Sequence, residues 1–301
     1  MSTVLDMRET FLSTIDQALT VDPRLVVVLA DISAAQLDGA KQRHPDRVLN
    51  LGIREQLVIS VAGGVALSGM RPVAHTFASF LVDRPYEQVK LDLAHQGVGA
   101  VLVSSGASYD YTTAGRTHQS PADVALIDTL PGWTVHVPGH PDEARRLLLE
   151  SLPGNDSVYL RLSAAANSEA HLGAGFQTMR TGRRGVVLAV GPMLDRVLAA
   201  TEGMDVTVLY ASTVRPFDTL GLRVAVDATG VADVVVVEPY LAGTSTAFVA
   251  EALRDLPHRQ LGLGVRRQCE LRLYGTMADH DLAYGLDQVG IAAAVKEFLV
   301  R

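Results

Sequence analysis

Cysteine is almost missing from this sequence. Cys269 is the single one among 301 residues, so no disulfide can close within the chain, and a reducing cytoplasm is the expected compartment. No apolar run reaches membrane-spanning length without a charge, glycine or proline breaking it. The opening stretch MSTVLDMRETF holds acidic residues and no apolar signal core, so export is not expected. A surplus of cations is lacking too. The formal net charge is −7, which argues against nucleic-acid binding through clustered lysine and arginine. There is no Walker loop, no Rossmann glycine fingerprint and no zinc ligand cluster. The stretch GTSTA (243–247) lacks the final glycine of a nucleophile elbow.

What is present is a well-packed α/β pattern. Hydrophobic residues make up 48% of the chain, and its length suits two domains. β-Branched runs at 24–30, 71–77, 99–105, 133–138 and 158–162 read as buried strands. Helical periodicity fills 7–19, 53–68, 83–97, 121–130 and 141–151. Strands then recur at 185–190, 205–210, 233–238 and 261–265. Such alternation implies mainly parallel sheets with helices on both faces. The small, polar, glycine-rich stretch 163–185 reads as a connection. The expected organisation is a first domain at 1–165, a linker at 166–184 and a second domain at 185–301. No internal repeat or low-complexity tract is visible.

The stretch NLGIREQL (50–57) opens a helix after a glycine turn. From Ile53, apolar residues recur as Leu57, Val58, Val61, Ala62, Val65 and Ala66, the spacing of one buried face. Arg54 and Glu55 fall at its head, where the helix dipole favours a carboxylate. On these residues alone, Glu55 reads first as a helix-end acid paired with Arg54 and only second as a functional group.

The wider order of motifs is more specific. Gly-Ile-Arg-Glu-Gln (52–56) is followed by TFASF (76–80), then by Thr-His-Gln (117–119), then by PGWTVHVPGHPDEA (131–144). In that order they resemble the transketolase-like family of thiamine diphosphate enzymes. More narrowly, the chain is similar to the C-terminal subunit of a split transketolase. The likeness extends to VVVVEPYLAGTSTAFVAEAL (234–253) and so spans almost the whole chain. It implies a pyrimidine-binding domain followed by a transketolase C-terminal-like domain, with thiamine diphosphate as cofactor.

The resemblance also implies roles. Glu55 matches the glutamate that hydrogen-bonds the cofactor's pyrimidine nitrogen and favours its imine tautomer, a task for a carboxylate in a dry place. Phe80 matches the aromatic that stacks on the aminopyrimidine, with Phe77 beside it; stacking adds about 1 kcal/mol beyond burial. His118 matches the histidine near the reacting carbon, and imidazole can move a proton at neutral pH. Asp31, in LADIS (29–33), matches an acid near the cofactor at the subunit interface, although a turn-forming role competes with it. Arg84, Tyr86 and Gln88 match a short motif of split transketolases. Arg84, His75 and Gln119 are kept as flanking or substrate candidates. His280 reads as a surface residue.

Departures from the family pattern count as well. Ala114 stands where sugar-phosphate transketolases carry an aspartate, Gly106 where they carry a second histidine, and Ala164 where an arginine grips the substrate phosphate. Arg161 is close to that last position. Losing a charge-assisted phosphate donor points to a substrate without phosphate, or to one held by another route, in a specialised pathway.

No Gly-Asp-Gly followed by Asn occurs, the pattern that holds magnesium and diphosphate in the family. The expected partner is an N-terminal transketolase subunit that carries this motif and holds Mg2+, in a heterotetramer of two copies of each chain. The expected activity is transfer of a two-carbon ketol unit from a ketose to an aldehyde or related acceptor. The expected substrates are small molecules, with no membrane involved. Two other readings compete. One is the beta subunit of a 2-oxo acid dehydrogenase that passes an acyl group to a lipoyl carrier. The other is a non-catalytic chain that stabilises a partner. Thr-His-Gln and the Phe80-to-Tyr86 spacing favour transketolase over the first; intact Glu55 and His118 count against the second.

Overall fold

The computed structural model describes residues 6–268 and 270–300. Cys269 lies outside them. Asp6 caps the first helix, α1 (Met7–Val21): its carboxylate accepts from the Glu9 N–H at 2.7 Å, and Glu9 accepts from the Asp6 N–H at 3.2 Å.

Among the described residues, twelve strands make two sheets. The first contains β1 (Leu25–Leu29), β2 (Val48–Asn50), β3 (Arg71–Phe77), β4 (Val101–Ser105), β5 (Thr134–His136) and β6 (Val158–Arg161). The second contains β7 (Gln177–Arg180), β8 (Val186–Val190), β9 (Thr207–Ala211), β11 (Asp233–Leu241) and β12 (Arg259–Val265). Between β9 and β11, β10 (Thr213–Arg215) leaves its neighbours and joins the first sheet. The strand orders are β10-β5-β6-β4-β3-β1-β2 and β12-β11-β8-β9-β7. All pairings are parallel except those of the edge strands β10 and β7.

Helices cover both sheets. After α1 come α2 (Asp38–Arg43), α3 (Glu55–Leu67), the short α4 (Tyr86–Gln88), α5 (Asp123–Ile127) and α6 (Pro141–Ser151). The second half adds α7 (Leu194–Ala200), α8 (Thr219–Thr229), α9 (Thr246–Ala252), α10 (Met277–Tyr284) and α11 (Gln288–Val300). Wide π-helical turns at Ser79–Asp83 and Val89–His95 flank α4. Gly63 lets α3 approach the second of these, because a Cβ there would sit 2.5 Å from the Asp92 carbonyl oxygen.

The β-branched runs form strands because both of their faces find apolar cover. Val26 and Val28 point into one core layer; Leu25, Val27 and Leu29 point into the opposite one. In the second sheet Val186, Leu188 and Val190 face the layer that holds Val26 and Val28, while Val187 and Ala189 face away. One core layer therefore serves both sheets. Each valine or leucine fully buried in it is worth about 1.5–3 kcal/mol relative to exposure.

Three strands escape the sequence pattern. β2 and β10 have three residues each, too few to show a period. β7 is QTMR, a half-buried edge inside the stretch expected to be linker. His280 corrects the expectation of a surface residue: it is 0% exposed. Its Nε2–H donates to the carbonyls of Tyr274 (3.0 Å) and Leu273 (3.1 Å), and its ring stacks on Tyr109 at 5.2 Å. It anchors the segment that precedes α10.

Beneath the loop that follows β4 lies a buried ion pair. The Arg161 Nε–H donates to Asp123 at 2.7 Å, with side chains 1% and 0% exposed. Tyr159 donates to the same carboxylate oxygen at 2.7 Å, and Arg161 Nη2 donates to Ser108 Oγ at 2.6 Å. Ser108 in turn donates to the Pro239 carbonyl of β11, and the Leu241 N–H reaches the Pro121 carbonyl at 2.8 Å. These bonds tie the first sheet to the second. Removing one member strands a buried charge. Asp123→Asn is expected to lower the stability of the chain by about 3–5 kcal/mol in urea unfolding. The double change Asp123→Leu/Arg161→Met should lose much less, because no charge remains to be satisfied. A single variant within 1 kcal/mol of wild type by the same measure, a margin typical of an exposed pair, would overturn this account of the pair.

Candidate active site

The carboxyl ends of β1, β2, β3 and β4 lie along one edge of the first sheet, the edge at which ligands bind in open α/β folds. Glu55 enters from the turn after β2. It is the first residue of α3 and only 2% exposed, so the helix dipole and burial act on it together. Its buried companions are Val58, Ile59, Ala62 and Gly63. The buried face therefore includes Glu55 itself. Ile53 (68% exposed) and Leu57 (43%) lie outside that face, contrary to the apolar count that started at Ile53.

The partner of Glu55 is Arg84 and not its neighbour Arg54. Arg84 Nη1 donates to Glu55 Oε2 at 2.7 Å. The same guanidinium lies over the ring of Phe80, with Cζ 3.9 Å from the centroid. Both residues belong to the wide turn after β3, where the Arg84 N–H reaches back to the Ser79 carbonyl at 3.1 Å. The rings of Phe80 and His118 meet at a T-shaped angle with centroids 4.9 Å apart, and those of Phe77 and His118 likewise at 5.5 Å. Glu55, Phe77, Phe80, Arg84 and His118 thus come together from three separate loops.

Sequence reasoning missed Tyr111, which packs edge-on against Phe77 at 4.8 Å. It fills the space beside Gly106, where φ is +71° and a Cβ would lie 2.4 Å from the tyrosine ring. The signal was the glycine: a small left-handed residue next to a bulky aromatic loop. His118 is oriented by Thr117, with Nδ1 and Oγ1 2.9 Å apart. The Thr117 hydroxyl also faces the Ala114 carbonyl at 3.2 Å. With that proton given to the carbonyl, Nδ1–H donates to Thr117 and Nε2 keeps its lone pair.

A second layer supports the loops. Asp83, beside Arg84, accepts from Ser120 Oγ at 2.8 Å, and burial pushes its pKa up to about 6. Asp110 is held by Ser163 Oγ (3.2 Å) and the Ala164 N–H (2.8 Å), and burial likewise pushes it to about 6. Arg161, close to Ala164, is engaged by Asp123 and Ser108. Among the described residues, no group of three or more His, Cys, Asp or Glu is placed to hold a metal ion. No described helix is long and apolar enough to cross a membrane.

The family model of the transketolase pyrimidine-binding domain matches residues 3–167. An uncharacterized 33.6 kDa protein in the fasciation locus of Rhodococcoides fascians is 56% identical over 98% of this chain and 95% of its own length. The 6-deoxy-6-sulfo-D-fructose transketolase subunit SqwH of Clostridium sp. (strain MSTE9) is 31% identical over 70% of each chain. The chain spans about half the length of the 1-deoxy-D-xylulose-5-phosphate synthases it matches. It covers 44% of the enzyme from Thioalkalivibrio sulfidiphilus, at 32% identity. Among solved structures, a split gene transketolase described as an inactive beta4 tetramer superposes with a TM-score of 0.84 over 99% of both chains. At 24% identity, that likeness is one of fold.

Three expected site residues stand apart from the cluster. Asp31 is exposed at the end of β1, with φ at 65°. Its N–H donates to Asn50 Oδ1 at 3.0 Å, and Asn50 Nδ2 returns a bond at 3.1 Å, which pins Asp31 to the turn that leads to Glu55. A positive φ on a residue with a Cβ is strained, and such strain concentrates at functional edges. Gln119 is buried; its carbonyl accepts from Arg116 at 2.7 Å, and it lines a recess with Arg266 and Arg267 of the second half. His75 must be withdrawn as a substrate residue. It is 0% exposed, packs on Phe11 of α1, donates from Nδ1 to the Val103 carbonyl at 2.8 Å and accepts at Nε2 from Ser33 at 3.0 Å. Burial pushes its pKa down from 6.5 to about 4. The unfolded chain therefore binds a proton near pH 6.5 that the folded chain refuses until about pH 4. The stability that follows is present above pH 6.5 and lost as pH falls toward 4, to a total of about 3 kcal/mol. Asp83 and Asp110 act in the opposite sense below about pH 6. The readout is therefore the difference between wild type and His75→Asn: the variant's urea midpoint should fall less between pH 6.5 and pH 4. Parallel curves would show that His75 is not the group responsible.

Proposed function

Because the chain belongs to the transketolase family, whose pyrimidine-binding domain spans more than half of it, we propose that it is the C-terminal subunit of a two-component transketolase. It moves a two-carbon ketol unit from a ketose donor to an aldehyde or related acceptor. The observation that carries this reading is the slot between Phe80 and Glu55. A flat, nitrogen-rich cation lies there now, face-on to an aromatic ring and hydrogen-bonded to a buried carboxylate. An aminopyrimidine asks for the same two contacts, so the residues present fit thiamine diphosphate.

Thiamine diphosphate, when bound, supplies the nucleophilic carbon that the transfer needs. The chain's own residues do the rest. Glu55 holds a proton at the pyrimidine ring nitrogen, and its burial strengthens that hydrogen bond. Phe80 offers a stacking face. Phe77 and Tyr111 wall off water on one side. His118 presents Nε2 to a substrate hydroxyl and takes or returns its proton. Asp31 stands nearby, held by Asn50 on the cofactor side of the sheet edge.

Diphosphate and Mg2+ fall to a partner chain with the Gly-Asp-Gly…Asn motif, in a heterotetramer working in the cytoplasm. The named relatives support the need for a partner chain: one is a transketolase subunit, and one solved relative is described as a split gene transketolase in an inactive beta4 tetramer. They favour transketolase over the 2-oxo acid dehydrogenase reading. Ala114 and Ala164, with Arg161 withdrawn into its ion pair, support a substrate that is not gripped through phosphate in the family's usual way. The working domain boundaries are 1–165 and 185–301.

The test is co-expression with the chain encoded by the neighbouring gene, followed by calorimetric titration of thiamine diphosphate with magnesium. Binding is expected for the complex and not for this chain alone; tight binding by the lone chain would sink the split-site reading. In the complex, Glu55→Gln should cut turnover by 10²-fold or more while the folded state is kept. A variant that retains most of the activity would remove Glu55 from the proposed role.

A further inference from the structure

We propose that Arg84 is a built-in placeholder: its guanidinium fills the Phe80–Glu55 slot in the free chain and is displaced when the cofactor's aminopyrimidine enters. The inference rests on the cofactor reading above and adds what the slot does before the cofactor arrives. A carboxylate 2% exposed cannot stand without a partner at low cost. Arg84 meets that need with a charge-assisted bond of 2.7 Å to Glu55 Oε2. The guanidinium is also planar and delocalised, a shape able to stack as a heteroaromatic ring does, and its Cζ lies over the Phe80 ring 3.9 Å from the centroid. A lysine could satisfy the charge but not the stacking.

Two flat groups cannot share one ring face and one carboxylate oxygen. The aromatic neighbours of Phe80, His118 (4.9 Å) and Phe77 (6.0 Å), meet it at steep angles and are not stacked on it, whereas the guanidinium lies over its ring. Arg84 has a way out. Its side chain is 38% exposed while that of Glu55 is 3% exposed, so the arginine can turn to solvent while the acid stays put. Its backbone is held by Ser79 at 3.1 Å, so only the side chain has to move. The consequence is a lowered apparent affinity. A slot closed in about nine molecules of ten weakens ligand binding about tenfold. A half-site of this kind stays capped until the partner chain supplies the remaining contacts.

The experiment is calorimetry of the assembled two-chain complex with thiamine diphosphate and magnesium, comparing wild type with Arg84→Ala. The variant is expected to bind about tenfold tighter. In urea, the free variant chain should unfold at a lower midpoint, because Glu55 has lost its cation. A merely structural ion pair predicts the loss of stability with affinity unchanged or weaker, and that result overturns the proposal while leaving the cofactor reading intact. If the wild-type complex takes up no thiamine diphosphate, the cofactor reading fails, and the placeholder with it. Should Arg84→Ala fail to assemble, Arg84→Lys keeps the charge without the flat face. It is expected to bind about threefold tighter than wild type, and equal or weaker binding overturns the proposal.

Discussion

The buried pairing of Arg161 with Asp123 is the interaction on which the rest depends. Neither side chain reaches water, so each is tolerable only because the other is there. Asp123 opens α5, Arg161 closes β6, and Ser108, held by Arg161, sits in the loop that ends at His118. Ser120 carries the constraint on to Asp83, next to Arg84. Ser108 carries it the other way, to the Pro239 carbonyl of the second sheet. A single charge pair thus fixes the loop with the histidine, the turn with the phenylalanine and arginine, and the docking of the two sheets. Polar networks of this type hold a unique geometry when every member is satisfied.

The site inherits its character from that frame. Its acid, ring, guanidinium and imidazole come from positions 55, 80, 84 and 118, on loops that follow β2, β3 and β4. The rings meet edge to face, which suits their quadrupoles and leaves one broad face of Phe80 for a planar cation. The carboxylate lies at a helix N-terminus, where backbone N–H groups already favour negative charge. Positive and negative partners are thus both provided for, the acid buried and the arginine open to solvent.

Much of this was legible in the sequence, for reasons particular residues make clear. Strands such as LVVVL in β1 announce themselves because both faces are buried and every position is apolar. Glu55 and His118 were singled out through the order of motifs around them, and the fold brings them to the same cluster of side chains. The apolar count along α3 started on the wrong residue: Ile53 and Leu57 are exposed in the single chain, and Glu55 shares the inward face. Spacing reports a stripe but not its orientation when both flanks are apolar. The roles of His75 and His280 were illegible for another reason. An imidazole whose ring N–H finds a carbonyl can sit in a core as well as at a surface, and the carbonyls that hold these two come from distant segments or from a loop with no period of its own. The pairing of Arg84 with Glu55 spans 29 residues and rests on a π-helical turn that no periodicity encodes.

The placement of β10 limits how such a gene can be divided. The strand lies beyond the connecting stretch, yet it pairs with β5 of the first sheet, and its Arg215 grips Asp128 through two bonds of 2.7 and 2.5 Å. A break anywhere between residues 163 and 185 would strip the first sheet of its outermost strand and leave β5 as a bare edge, a template for pairing with foreign chains. The two halves are consecutive in sequence but interleaved in space. Recombination that swaps one half for that of a distant relative must bring a matching β10, or the hybrid begins with an open seam.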